Sequence, residues 1–208
     1  AAARGRKLDR LPREGLDLIG IDAGKVEQVI ITHLHYDHAG TFTDFGNARL
    51  HLQDSEMAMA TGRCMCHAPL RLPYHVDDVC EMVRKVYAEQ VDFHNGDQEI
   101  APGISLHLCA GHAAGLQSVR VKTRRGWVMV ASDATHLYMN FKDKKPFPIM
   151  VNMAEMMESW GKLIRLGDSI DHVVPGHDPK VLEYYPAADP KLEGIVARLD
   201  LAPKVSIA

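Results

Sequence analysis

Cysteine is scarce in this chain, aromatic residues are few, and neither sign of charge dominates. Four cysteines stand among 208 residues, and Cys64 and Cys66 are too close together to pair readily, so no disulfide framework is readable. That points to a reducing compartment, the cytoplasm. No apolar run approaches the roughly 18–20 residues needed to span a membrane. The opening "AAARGRKLDRLPREG" lacks the apolar core of a secretory signal, and its first residue is not Met, as in a processed chain or a fragment of a longer one. A net charge of −3 with scattered Lys and Arg offers no cationic surface of the kind nucleic-acid binding needs. With 46% hydrophobic residues, the chain suits one globular domain, at most with an insertion.

Histidine, by contrast, is abundant: twelve residues. It binds metals and moves protons, and placement decides which. A short helix is expected at 12–19, with Pro12 near its start. "VEQVIIT" (26–32) is apolar and β-branched, a buried strand that ends at His33. "ARLHLQ" (48–53) alternates as a strand does. Residues 54–60 read as a helix capped by Asp54 or Ser55, 61–75 as irregular, and 76–90 as helical. The stretch 54–90 is therefore expected to be a mostly helical insertion. Two strands flank a Pro-Gly turn within 96–111, a hairpin turning at Arg124–Gly126 fills 116–133, and 141–150 reads as a linker. An amphipathic helix follows at 152–167, then a short strand within 171–178. Four strands thus run out into loops bearing His or Asp, at 33–38, 112, 133 and 177, where a rigid scaffold can hold loop residues in place.

"HLHYDH" (33–38) crowds three histidines and an aspartate into six positions, which core packing does not call for. His33 and His35 share a face if extended, or reach one ion from a loop, while Asp37 and His38 can turn toward a second. Zinc favours about four His or carboxylate ligands, and paired ions about 3.5–4 Å apart share a bridging carboxylate and water. His112, Asp133 and His177 offer the remaining ligands. His51, His67, His75, His94, His107 and His172 read as structural or surface residues. "CMCH" (64–67) is either a soft metal site or packing. Met57, Met59, Met65 and Met82, with Tyr74, read as a pliable wall for an acyl chain or as helix–sheet core. Met150, Met153, Met156 and Met157 fit a helix face in the same way.

The motifs "HLHYDHAG", "GHAAGLQS", "SDA" and "PGHD" resemble the metallo-β-lactamase superfamily over about residues 20–180, and within it the N-acyl homoserine lactonase branch. The resemblance implies an α/β fold, an αββα sandwich with a two-zinc site along one edge between two sheets. His33, His35 and His112 would hold one metal, Asp37, His38 and His177 the other, and Asp133 would bridge them. Class B β-lactamases commonly place a cysteine among the second-site ligands, and glyoxalase II usually has a histidine where this chain has Leu116. The implied activity is lactone hydrolysis of a small-molecule substrate by a metal-bridging hydroxide, with Asp37 or a water protonating the leaving group. No Gly-x-Ser-x-Gly elbow supplies a protein nucleophile. Quorum-signal degradation is a role such an activity would serve. Lactonases of this type often carry a tyrosine three residues after the bridging aspartate. Here that position is His136, with Tyr138 two further on; either is a candidate catalytic donor to an oxyanion. Hydrolysis of another ester, a thioester or a β-lactam is the alternative. A non-catalytic metal protein would not need both Asp37 and Asp133. Family members place several strands before the first motif, and only 32 residues precede His33. Part of the N-terminal sheet is therefore expected to be missing, leaving a chain that is marginally stable or associates, as in a homodimer.

Overall fold

A computed structural model describes residue 5 and residues 8–207. Two short helices, α1 (Pro12–Asp17) and α2 (Tyr36–Ala39), stand before and after the first strand, and the strands form two sheets. The first is parallel throughout: β1 (Gln28–Ile30), β2 (Arg49–Gln53) and β3 (Val91–His94), in that order. The second is an antiparallel meander of β4 (Gln98–Ala101), β5 (Ile104–Leu108), β6 (Gln117–Thr123) and β7 (Gly126–Val130), with β8 (Val173–Val174) parallel to β7.

Parallel neighbours cannot be joined by a tight turn. The helical stretch expected at 54–90 makes the long connection from β2 to β3, as α3 (Asp54–Thr61), α4 (Ala68–Arg71) and α5 (Val76–Tyr87). Met59, Val79 and Met82 from these helices pack on Ile31, Leu50 and Leu52 of the first sheet. Side chains alternate along β2, so His51 and Gln53 point the other way, toward the second sheet. On the far side of the second sheet lies α7 (Met153–Leu166). Its Met156, Trp160 and Leu163, spaced four and three residues apart, form one stripe against Met129 and Val173. The layers run helix, sheet, sheet, helix: an αββα sandwich.

Several local expectations are revised. Gln53, not Asp54 or Ser55, occupies the cap of α3, because the helix starts directly where β2 ends. β3 escapes sequence reading because it is four residues long and follows a helix after a three-residue gap. The first three residues of the expected linker belong to α6 (Tyr138–Asp143), whose Tyr138 and Phe141 bury one turn apart. Met57, Met59, Met65, Met82 and Tyr74 lie in or against the core under the first sheet. Of the later methionines, Met156 is buried and Met150 packs against the core. Met153 and Met157 face outward at 52% and 42% exposure, because their positions fall off the buried stripe. No helix among the described residues is long and apolar enough to cross a membrane. All four cysteines are free.

The two sheets are laced together by buried amides. The Gln117 backbone N–H donates to Thr32 O at 2.9 Å. Its side-chain Nε2 donates to Ile31 O and His51 O, each at 2.9 Å. Its Oε1 accepts from Gln53 Nε2 at 2.9 Å, and the Gln53 amide pairs with both backbone groups of Gly96. Replacing Gln117 by Leu keeps the volume but removes the buried side-chain hydrogen bonds to Ile31 O, His51 O and Gln53 Nε2. We expect it to lower the unfolding free energy by about 3 kcal/mol, measured by urea denaturation.

Candidate metal centre

β5 and β7 are each antiparallel to β6, and β8 is parallel to β7, so β5, β7 and β8 all run the same way. Their C-terminal ends therefore share one sheet edge, and the loops leaving that edge carry His112, Asp133 and His177. The end of β1 is drawn to the same edge by the Gln117 lace and by Ser132 Oγ donating to Thr32 Oγ1 at 3.0 Å. This brings "HLHYDH" alongside.

The seven sequence-predicted ligands converge. His33, His35 and His112 offer donor atoms within 4.8 Å of one another; so do His33, His38 and Asp133, and so do Asp37, His38 and His177. Asp133 stands between them. Its Oδ1 lies 3.1 Å from both His38 Nε2 and His177 Nε2, and its Oδ2 lies 3.3 Å from His112 Nε2. Asp37 sits at the outer rim, its Oδ2 3.9 Å from His177 Nε2 and 4.0 Å from His38 Nε2. His136 joins the cluster, with Nε2 2.9 Å from Asp133 Oδ2. Tyr138 does not: it is buried, with its ring against Phe141 and Tyr184.

These donors fit a cation. Among the described residues, His33 Nε2, His38 Nε2 and Asp133 Oδ1 are buried without a hydrogen-bond partner, although the last two lie within hydrogen-bond distance of each other. Buried polar groups are rarely left so, and their lone pairs face a common space. One tautomer is fixed by its partner. His112 Nδ1 lies 2.7 Å from Ile149 O, which can only accept, so Nδ1 holds the proton and Nε2 presents a lone pair. His33 Nδ1 lies 3.2 Å from Thr32 Oγ1, which holds the ring in place. Burial holds His33 well below its ordinary value, His35 at about 2 and His112 at about 4, with neighbouring imidazoles adding to the effect. Burial alone would raise the Asp133 carboxyl, but the imidazoles of His136, His177 and His38 beside it outweigh that and hold it well below the usual carboxylate range. Neutral imidazoles around an ionised carboxylate are what a divalent transition metal binds.

Sequence reading missed Glu56. This fully buried carboxylate accepts from Leu34 N (2.9 Å), which lies between two ligands, from Gly115 N (3.0 Å) in the loop after His112, and from Tyr74 OH (3.0 Å). The Tyr74 ring in turn packs edge-on against His35, centroids 4.7 Å apart. Burial pushes the Glu56 carboxyl up, against these donors. A signal was present: Glu56 shares a helix face with Met59 and Ala60, three and four residues on, and both are core. Two glycines let the His112 loop approach so closely. Gly111 has φ +130°, and a Cβ there would sit 2.3 Å from the Met156 backbone. A Cβ on Gly115 would sit 2.1 Å from the Glu56 backbone.

The other histidines have structural partners. His51 Nδ1 pairs with His94 Nε2 at 3.0 Å, His107 Nδ1 with Asp97 at 2.8 Å, and His172 Nε2 with Arg125 O at 2.9 Å. His67 joins none of the clusters that could hold a metal among the described residues. Neither do Cys64 and Cys66, of which Cys64 packs against the core and Cys66 is exposed. A cavity of about 300 Å³ opens above the centre, lined by Tyr36, Pro73 and Ile149 as well as by the His and Asp donors.

Glu56→Ala should weaken metal retention 10- to 100-fold in competition with a chelator, because the ligand loops lose their shared anchor. Acid should unfold the metal-free chain early. His35 and His112 titrate lower in the folded state than their ordinary 6.5, so the unfolded state binds more protons below that pH. Their contribution is intact above pH 6.5 and falls as pH drops toward 4 and below, by up to about 1.4 kcal/mol per pH unit for each. Urea unfolding at pH 7.5 and pH 5 measures this.

The sequence profile of the metallo-beta-lactamase superfamily matches residues 2–177. An N-acyl homoserine lactonase of Bacillus thuringiensis is 30% identical over 133 residues, covering 64% of this chain and 48% of that protein. One from Agrobacterium fabrum is 31% identical over 132 residues, covering 62% and 47%. The chain thus spans about half the length of the curated relatives it matches. A solved N-acyl homoserine lactone hydrolase, with N-hexanoyl-L-homoserine product bound at its catalytic metal centre, superposes with TM-score 0.65 at 26% identity, covering 80% of this chain and 61% of that one. A dizinc quorum-quenching lactonase at 16% identity shares the fold, with TM-score 0.64 over 83% of this chain and 65% of that one. This chain belongs to the metallo-β-lactamase superfamily.

Proposed function

We propose that the chain is a dinuclear zinc-dependent hydrolase that opens a lactone ring, that of an N-acyl homoserine lactone or a related lactone. The observation that carries this reading is the sharing of Asp133. One oxygen faces His38 and the other faces His112, while His177 Nε2 stands 3.1 and 3.2 Å from the two. Zinc between such donors supplies Lewis acidity and brings the ionisation of water near neutral pH. A structural zinc site is closed by four ligands and needs no second, outward-facing triad.

The residues divide the work. His33, His35 and His112 are neutral donors in a dry floor, and Asp133 supplies the shared negative charge. Asp37, more exposed at the mouth beside His38 and His177, is placed to hold a proton and release it to the departing alkoxide of the opened ring. Tyr36, Pro73 and Ile149 offer apolar surface for the rest of the substrate. The cavity lining holds no serine, threonine or cysteine among the described residues, in keeping with attack by water. The names of the relatives favour a homoserine lactone, and the four free cysteines suit a reducing cytoplasm.

Metal content and turnover are measured on one purified sample, with a homoserine lactone, a simple γ-lactone, a thioester and nitrocefin as substrates. About two metals per chain are expected, with lactone turnover that disappears in Asp133→Ala. Turnover of only the thioester or nitrocefin would overturn the lactone reading. A folded sample that binds no metal would overturn the whole.

A further inference from the structure

His136 lies outside the two donor triads assigned above, yet it is held as firmly as any ligand. Its ring stacks on the buried Phe147, with centroids 3.7 Å apart and planes 15° from parallel. Its backbone carbonyl accepts the His177 N–H at 3.0 Å, and the preceding Thr135 carbonyl accepts the Gly176 N–H at 3.0 Å. The segment bearing His136 is therefore tied to the turn that carries one ligand, while its side chain reaches another. The reaching atom is Nε2, 2.9 Å from Asp133 Oδ2.

Among the imidazoles around Asp133 this is the shortest approach: His38 and His177 stand 3.1 Å from Oδ1, and His177 and His112 stand 3.2 and 3.3 Å from Oδ2. At 2.9 Å, His136 matches an ordinary N–H···O hydrogen bond, which an ionised carboxylate can only accept. His33, His35 and His112 on one side, and Asp37, His38 and His177 on the other, already form donor triads without it.

We propose that His136 is a positioning residue: its Nε2–H holds Oδ2 of the bridging carboxylate, and so sets the geometry that Asp133 presents to both metal positions. The inference rests on the dinuclear reading above but not on the choice of substrate. A donor on a bridging carboxylate fixes its rotation and draws off part of its charge. Stacking on Phe147 fixes the donor in turn. His136 thereby acts through Asp133 rather than as a direct partner of a substrate oxyanion.

The test uses the metal-loaded protein and two variants. His136→Gln keeps an N–H donor within reach but is a poor metal ligand. His136→Phe keeps an aromatic ring against Phe147 and loses the donor. Metal affinity is read by chelator competition, and coordination by the visible spectrum of the cobalt-substituted protein. The expected result is near wild-type affinity and spectrum for His136→Gln, with a 10- to 100-fold weaker affinity and shifted bands for His136→Phe. Equal loss in both variants, with a spectrum showing a changed donor number, would make His136 a ligand and overturn the proposal. Wild-type affinity and spectrum in both would also overturn it. The wild-type metal count, taken first, separates these outcomes from failure of the dinuclear reading itself, since a wild type that binds fewer than two metals sinks both.

Discussion

A carboxylate that remains ionised beneath the surface requires donors or positive charge around it. Asp133 is 3% exposed and ringed by imidazoles, which partly meet that requirement. The same burial keeps His33, His35 and His112 neutral. A neutral imidazole has a single proton to donate, and His112 gives its proton to Ile149 O. Lone pairs and a negative oxygen are thus driven into one space. A divalent cation satisfies both at once, and the surrounding arrangement reads as support for that space.

The support is polar and buried, and it works by shared partners. Glu56 holds the loop before His35 and the loop after His112 through one carboxylate. Gln117 joins the end of β1 to the second sheet through one amide. Each of these groups would be costly to bury alone and is inexpensive where every partner is present. Such groups penalise any other arrangement of the same loops, which keeps ligand positions from drifting. The apolar cores on the outer faces of the two sheets then need only hold the layers, while these few hydrogen bonds set where the loops end.

Much of the centre is legible in the sequence. "HLHYDH" has no packing explanation, and the companion loops at 112, 133 and 177 each follow a run that reads as a strand. The helix stripes of α5 and α7 were readable from their period, as was the meander from its turn residues. Glu56 and Gln117 were harder, because a lone polar residue in an apolar stretch does not declare its partners. The partners of Glu56 lie 18, 22 and 59 positions away, and two of those of Gln117 lie 66 and 86 away. His136 and Tyr138 show the same limit. Two residues apart on one loop, they part company because a new helix begins at Tyr138, which turns that ring into the core and leaves His136 facing Asp133.

What the sequence determined by itself is the donor set and its local grouping. Ligand chemistry belongs to residue type, and strand periodicity places each group at the end of an element. What only the tertiary structure decided is which imidazoles surround Asp133, which nitrogen of His112 holds the proton, and which buried groups brace the loops. Those outcomes depend on the direction of strands joined through β6 and on hydrogen bonds between distant segments. Local sequence carries no term for either.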